Sequence, residues 1–275
     1  MKAWLIIFLS VVHLATFAQV PAIGIKGRAA AASIDGKYQT AVGSTTNIYV
    51  SSDYGATWAA TGSTNDWRGI AISANGQYQS ASAGADGAYI STDYGNNWIK
   101  KLSANGRGIA ISADGQFQSA AAQNAQIFIS SDYGDTWTVK ESTRNWQTIS
   151  INADGQYQSA AVYNGQIYIS SNYGNTWTAK ESNRNWMGIA MSESGQYQTA
   201  AVYNGQIFIS SDYGDTWTAK ETSRPWMGIA MSANAQYQTA VVYGGQIFIS
   251  SDYGDTWTAK ESNRNWRAIF INRKQ

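Results

Sequence analysis

The side chains of this sequence that could do chemistry are carboxylates, arginines and aromatic rings, and they recur in a fixed grouping. An acid stands in Ser-x-Asp-x-Gly-x-Thr-Trp at Asp53, Asp93, Asp132, Asp212 and Asp252, with Asn172 in the fourth copy. The motif thus returns about every 40 residues, a period of repeat architectures. Every copy keeps its Gly and ends in an indole: Trp58, Trp98, Trp137, Trp177, Trp217 and Trp257. Such a carboxylate could move protons, ligate a cation, or accept hydrogen bonds from the backbone of its own turn. Calcium asks for six or more oxygens, and a turn whose acids are a pair such as Asp212 and Asp215 offers too few. We therefore expect fold pins here, with no metal and no other cofactor.

The remaining ionisable candidates also repeat. Arg144, Arg184, Arg224 and Arg264 follow the period, as do Glu141, Glu181, Glu221 and Glu261. A glycosidase needs two carboxyls about 5 to 9 Å apart at one place, and an active site is asymmetric, whereas these groups come one per repeat. The chain has no Cys and one His, His13. Once the N-terminal segment is set aside, Ser-His and Cys-His nucleophiles and His- or Cys-based zinc sites are excluded. No singular catalytic constellation stands out, and the expected function is binding rather than catalysis.

The elements that must position these residues follow from periodicity. Residues 1–18 begin with Lys2, continue as an apolar run and end Thr16-Phe17-Ala18, the pattern of a secretory signal peptide. The run is too short for a membrane span, and no second one follows, so an exported protein without a span after cleavage is expected. Residues 19–275 carry balanced charge, which speaks against a nucleic-acid partner. Within one repeat, Trp186 to Ser192 alternates in facing and reads as strand A. Glu193-Ser194-Gly195 is a turn, Gln196 to Val202 strand B, and Tyr203-Asn204-Gly205 a hairpin in which Asn-Gly supplies positive φ. Gln206 to Ser210 is strand C and Trp217 to Glu221 strand D. Four short antiparallel strands in every repeat predict an all-β, six-bladed β-propeller forming a single domain.

On these residues the chain resembles the Asp-box, or bacterial neuraminidase repeat, family of sialidase-like propellers, in which the motif sits between the third and fourth strands of a blade. The resemblance implies the fold strongly and the function weakly, because such boxes occur in sialidases, other glycosidases, sorting receptors, photosystem assembly factors and lectins. A sialidase would further imply three convergent arginines at non-equivalent positions, an acid and a Tyr–Glu pair. It would also imply an Arg-Ile-Pro segment, where this chain has Ile23-Gly24-Ile25-Lys26-Gly27-Arg28. A non-catalytic member is expected.

Strand direction puts the D-to-A and B-to-C loops on one face, opposite the boxes. On that face we expect Arg184, Trp186, Arg224, Trp226, Arg264 and Trp266 beside the hairpin tips Tyr163, Asn164, Tyr203, Asn204 and Tyr243. A ring next to polar donors suits a sugar, so carbohydrate or a glycoconjugate is the expected partner, bound by a lectin-like array of weak sites. The ends suggest an alternative. Trp266 to Asn272 reads as a seventh A strand, although Arg28 to Ser33 already fills that place in the first repeat. We expect the C-terminal strand to close the ring and push the Ala-rich strand outward. Otherwise a terminal strand adds to a neighbouring molecule and builds an oligomer or filament.

Overall fold

The computed structural model describes residues 7–9, 27–266 and 269–271. The first strand, β1 (Ile7–Leu9), runs parallel to the last, β19 (Ile269–Ile271). Between them the strands pair antiparallel throughout the described residues. The first repeat is a four-stranded sheet of β2 (Gly27–Ala32), β3 (Gln39–Gly43), β4 (Thr46–Ser51) and β5 (Ala59–Asn65). The second is β6 (Trp67–Ile72), β7 (Gln79–Ala83), β8 (Gly87–Ser91) and β9 (Ile99–Leu102).

From β10 (Gly106–Ile111) the strands lengthen. β11 (Gln118–Ser130), β13 (Gln158–Ser170), β15 (Gln198–Ser210) and β17 (Gln238–Ser250) each contain both arms of a B–C hairpin. β12 (Thr138–Ile151), β14 (Thr178–Met191) and β16 (Thr218–Met231) run from the outer edge of one repeat to the inner edge of the next, and β18 (Thr258–Asn265) is the last outer strand. Thus Thr178 to Lys180 pair with β13 while Trp186 to Met191 pair with β15. Within the β13-paired half, between Lys180 and Arg184, Glu181 is left-handed (φ 57), and its equivalents Glu141, Glu221 and Glu261 share that geometry. A non-glycine residue at positive φ is uncommon, and here the ladder register slips beside it.

The hairpin differs from the sequence expectation in one respect. Asn164 and Asn204 are left-handed (φ 58 and 54), but Gly165 and Gly205 are not. Glycine is needed at these places because a Cβ on Gly205 would lie 2.6 Å from Val202 Cγ1.

In the Asp-box turns two successive residues, such as Tyr213 (φ 63) and Gly214 (φ 87), are left-handed. The Tyr213 N–H donates to Gln196 O (3.0 Å), and its ring sits 4.5 Å from that of Tyr157 in the preceding repeat. Asp212 closes the turn: Oδ1 accepts from the Thr216 N–H (2.9 Å) and the Ser210 hydroxyl (2.7 Å), Oδ2 from the Thr216 hydroxyl (2.6 Å). Asn172 does the same with Oδ1 and donates Nδ2 to Thr176 Oγ1 (2.8 Å). The box indoles are half-buried; Trp217 Nε1 donates to Gly214 O (3.0 Å).

The core lies between neighbouring sheets. Ala121, Ile127 and Ile129 of one repeat pack with Trp146, Ile149 and Val162 of the next. Strand B is buried along its length and built of small residues, as in Gln158-Ser159-Ala160-Ala161-Val162, because it is mid-sheet and covered on both faces.

At the ends, the expected displacement of the Ala-rich strand does not occur. β2 keeps the inner place of the first repeat, where side-chain volume is little needed, and pairs with β3. Ile269 of β19 lines the same channel as Ala29. The expected signal peptide lies outside the described residues except for Ile7–Leu9.

Candidate binding site at the channel mouth

The inner strands line a common channel. At the end where they begin, on the face opposite the Asp-boxes, it opens into a cavity of about 420 Å³. Equivalent residues of the inner strands line this mouth, each following a Gly or Trp: Arg28 (β2), Arg68 (β6), Arg107 (β10), Gln147 (β12), Met187 (β14) and Met227 (β16). One half of the rim is cationic and the other apolar. Deeper in, a second space of about 250 Å³ is lined by Ile72, Ile111, Ile151, Met191 and Met231.

The cationic half is underneutralised. Asp66 answers two of the guanidiniums: Arg28 Nη2 lies 3.2 Å from Oδ1 and Arg68 Nε 3.3 Å from Oδ2. Burial pushes the Asp66 carboxyl up, but a hydrogen bond from Ser44 (2.8 Å) and the charges of Arg28 and Arg68 outweigh it, leaving it below its ordinary value. Arg68 also donates Nη1 to Gln123 Oε1 (3.1 Å). A Cβ on Gly84 would meet that guanidinium at 2.9 Å, so glycine makes room for it.

Arg107 donates Nε to Gln147 Oε1 (3.1 Å) and forms no ion pair among the described residues. Burial, then the charges of Arg68 and Arg28, lower its pKa from the ordinary arginine value. It remains protonated, since arginine starts so high. Two guanidiniums therefore share one carboxylate and the third, Arg107, has no ion pair among the described residues, an arrangement that attracts an anion and offers a planar carboxylate paired N–H donors.

The residues expected from the sequence are placed unevenly. Trp186 and Trp226 are fully buried (0%) and Trp266 nearly so (2%), so none offers a ring face to a ligand. Instead Trp186 packs edge-on to Phe208 (5.3 Å), and Trp226 to Phe248 (5.0 Å). This corrects their assignment as a sugar platform: an indole at the start of an inner strand lies between two sheets. Arg184 stacks on Phe208 (4.4 Å) with Nε 3.5 Å from Glu181, and Arg224 stacks on Phe248 (4.6 Å) with Nε 3.9 Å from Glu221. Arg264 lies over Trp266 at 5.7 Å. These repeating arginines brace the corner of the strand.

The hairpin tips stay on the surface. Tyr163 stands opposite Asn185 in the ladder, as the loop geometry predicts, and Tyr243 opposite Asn265. Tyr163 and Tyr203 are half-buried, Asn164 and Asn204 exposed, and Tyr243 is 39% exposed. Among the described residues no three metal-ligating side chains cluster. The second acid of the box is engaged between repeats, Asp215 accepting from Lys180 and Asp255 from Lys220.

The arginines at the mouth escaped the sequence reading because it followed what repeats. The signal was present in the opposite quantity. The second position of strand A reads Arg28, Arg68, Arg107, Gln147, Met187 and Met227, a break in symmetry beside a position that is itself Gly27 and Gly106 in the first and third repeats and Trp in the others.

No model of a known protein family matches the chain, and no curated protein does. Solved structures do. YCF48 from Cyanidioschyzon merolae has TM-score 0.67 at 15% identity, over 90% of this chain and 89% of that one; another YCF48 structure is bound to a D1 peptide (0.65, 16%, over 86% and 82%). U3-55K matches with TM-score 0.74 at 8% identity, over 90% of this chain and 86% of that one. The GH74 xyloglucanase from Xanthomonas campestris matches at 0.69 and 12% identity over 86% of this chain, which spans 45% of that enzyme. At these identities the likeness defines the fold alone: a β-propeller of repeated four-stranded antiparallel sheets.

Proposed function

We propose that this chain is an exported, non-catalytic propeller of six blades, closed with help from its C-terminal strand, that binds carbohydrate carrying a carboxylate. The observation that supports the ligand class is the set of three guanidiniums at the channel mouth, of which Asp66 pairs with Arg28 and Arg68 and none of the described carboxylates pairs with Arg107. A sugar acid matches both halves of that rim: its carboxylate suits Arg28, Arg68 and Arg107, and the apolar face of its ring suits Met187 and Met227. The tips Tyr163, Asn164, Tyr203, Asn204 and Tyr243 lie on the same face and would add weak contacts to further units of an acidic polymer. A second reading, a peptide held by its terminal carboxylate, is favoured by the likeness to YCF48, one structure of which holds a D1 peptide.

Calorimetric titration of the purified chain with oligogalacturonate, with a neutral glucan oligosaccharide, and with short peptides bearing free or amidated C-termini separates these readings. Binding of the uronate alone, weakened by salt, is expected. Binding only of free-carboxylate peptides selects the second reading, and binding of neither class overturns the ligand assignment.

A further inference from the structure

Neighbouring repeats are stitched by relays that repeat as regularly as the boxes. In strand B a hydroxyl of each repeat donates to the buried Gln of the next. Thr40 bonds Gln79 Oε1 (2.6 Å), Ser80 Gln118 (2.6 Å), Ser119 Gln158 (2.7 Å), Ser159 Gln198 (2.6 Å) and Thr199 Gln238 (2.7 Å). Five links leave two ends. Gln39 Oε1 has no donor and Thr239 Oγ1 no acceptor among the described residues, although Gln39 is 6% and Thr239 1% exposed. Leaving buried polar atoms unpaired is costly, and a native fold does so rarely.

A second relay ends at the same boundary. The aromatic residue before that Gln stacks on the box Tyr of the next repeat: Tyr38 on Tyr94, Tyr78 on Tyr133, Phe117 on Tyr173, Tyr157 on Tyr213 and Tyr197 on Tyr253. Tyr54, first in the series, has no preceding ring in it and is 63% exposed, against 37–43% for the other five. At the other end Tyr237 has no following box Tyr. The channel shows what lies between. It is lined by inner strands of the six repeats and by Ile269, so β19 holds a seventh inner position with no antiparallel strand beside it among the described residues. The strand it does pair with, Ile7–Leu9, runs parallel and carries neither an amide side chain nor a hydroxyl.

We propose that the seventh position is a strand-acceptor slot, and that an extended segment of another protein carrying the triplet aromatic–Gln–Ser/Thr takes it by displacing Ile7–Leu9 from β19. The Gln oxygen would accept from Thr239, the hydroxyl would donate to Gln39 Oε1, and the ring would cover Tyr54. Main-chain pairing would supply affinity and these three side chains register, as in other strand additions. This chain has no such triplet to spare. Outside strand B, Gln precedes Ser or Thr only at Gln147-Thr148, inside β12.

The test uses the purified chain and a fluorescent synthetic peptide with the sequence of residues 195–203, read by anisotropy. Saturable binding is expected, weakened at least tenfold by Thr239→Val in the protein and likewise by replacing the Gln of the triplet (residue 198) with Leu in the peptide. Because Thr239 Oγ1 has no partner in the described chain, Thr239→Val should leave the melting temperature unchanged or raised, whereas Thr199→Val, which breaks a closed link, should lower it. Absence of saturable binding, or binding indifferent to both changes, overturns the proposal. So does self-association of the chain alone that Thr239→Val dissolves in sedimentation, because a second copy would then fill the slot.

Discussion

Arg107→Met is the sharpest probe of the channel mouth, because repeats five and six already carry Met187 and Met227 at the equivalent place. The fold accommodates that side chain there, so the substitution isolates charge from packing. The Arg107 side chain has one hydrogen bond, to Gln147 Oε1, and no ion pair among the described residues. Its removal relieves repulsion from Arg68 and Arg28 while leaving Gln147 at a mouth open to water. Stability should hold or rise, because the change removes a half-buried charge that has no ion pair among the described residues. Binding should respond far more. A hydrogen bond to a charged partner contributes about 1.5–3 kcal/mol, or a loss of about 10- to 150-fold in affinity. Calorimetry with oligogalacturonate at low and high salt reads the loss, and the salt dependence should flatten as one cation leaves the site. Unchanged affinity in a variant that melts like the parent would refute the assignment of the arginine cluster as the ligand site.

Asp212→Ala removes the acceptor of three hydrogen bonds and should cost about 1–2 kcal/mol in urea unfolding. Asp212→Asn should stay within about 0.5 kcal/mol, as Asn172 already closes the fourth turn. Hydrogen bonds from Thr57 and Thr256 hold Asp53 and Asp252 at a pKa of about 2, against an ordinary 3.8. Their folded pKa is depressed, so their contribution is complete above about pH 4 and is lost as pH falls through 2. Urea midpoints should be level from pH 7 to 5 and fall below 4, with part of that fall removed by Asp252→Asn. Trp186→Ala should cost about 3–5 kcal/mol as a core cavity; a binding defect without a stability defect would contradict the buried placement of the indole.

The period, the box and the alternation of residues such as Trp186 to Met191 made the repeat architecture legible, because local turn chemistry and strand facing are written in adjacent residues. The place of the Asp-boxes, opposite the loops that carry Tyr163 and Asn204, followed from strand direction alone. Burial was not legible. A Trp at a strand start reads equally as core or as platform, and only the sheet packed against Trp186 decides. The left-handed Glu181 and the arrest of Arg184 on Phe208 were equally hidden, since both depend on strands paired across a corner.

By itself, then, the sequence determined the unit: four strands, a pinned turn and a near-constant spacing. What only the tertiary structure decided is what the units make together. Arg28, Arg68 and Arg107 each stand one repeat apart in the chain yet share one cavity, because each begins an inner strand and the inner strands surround a channel. Gln39 and Thr239 look like every other Gln and Thr of the series, and only the way the repeats are arranged leaves their side-chain oxygens unpaired among the described residues. A repeat specifies its own contacts and those to its neighbour; the places where the series stops are properties of the whole array.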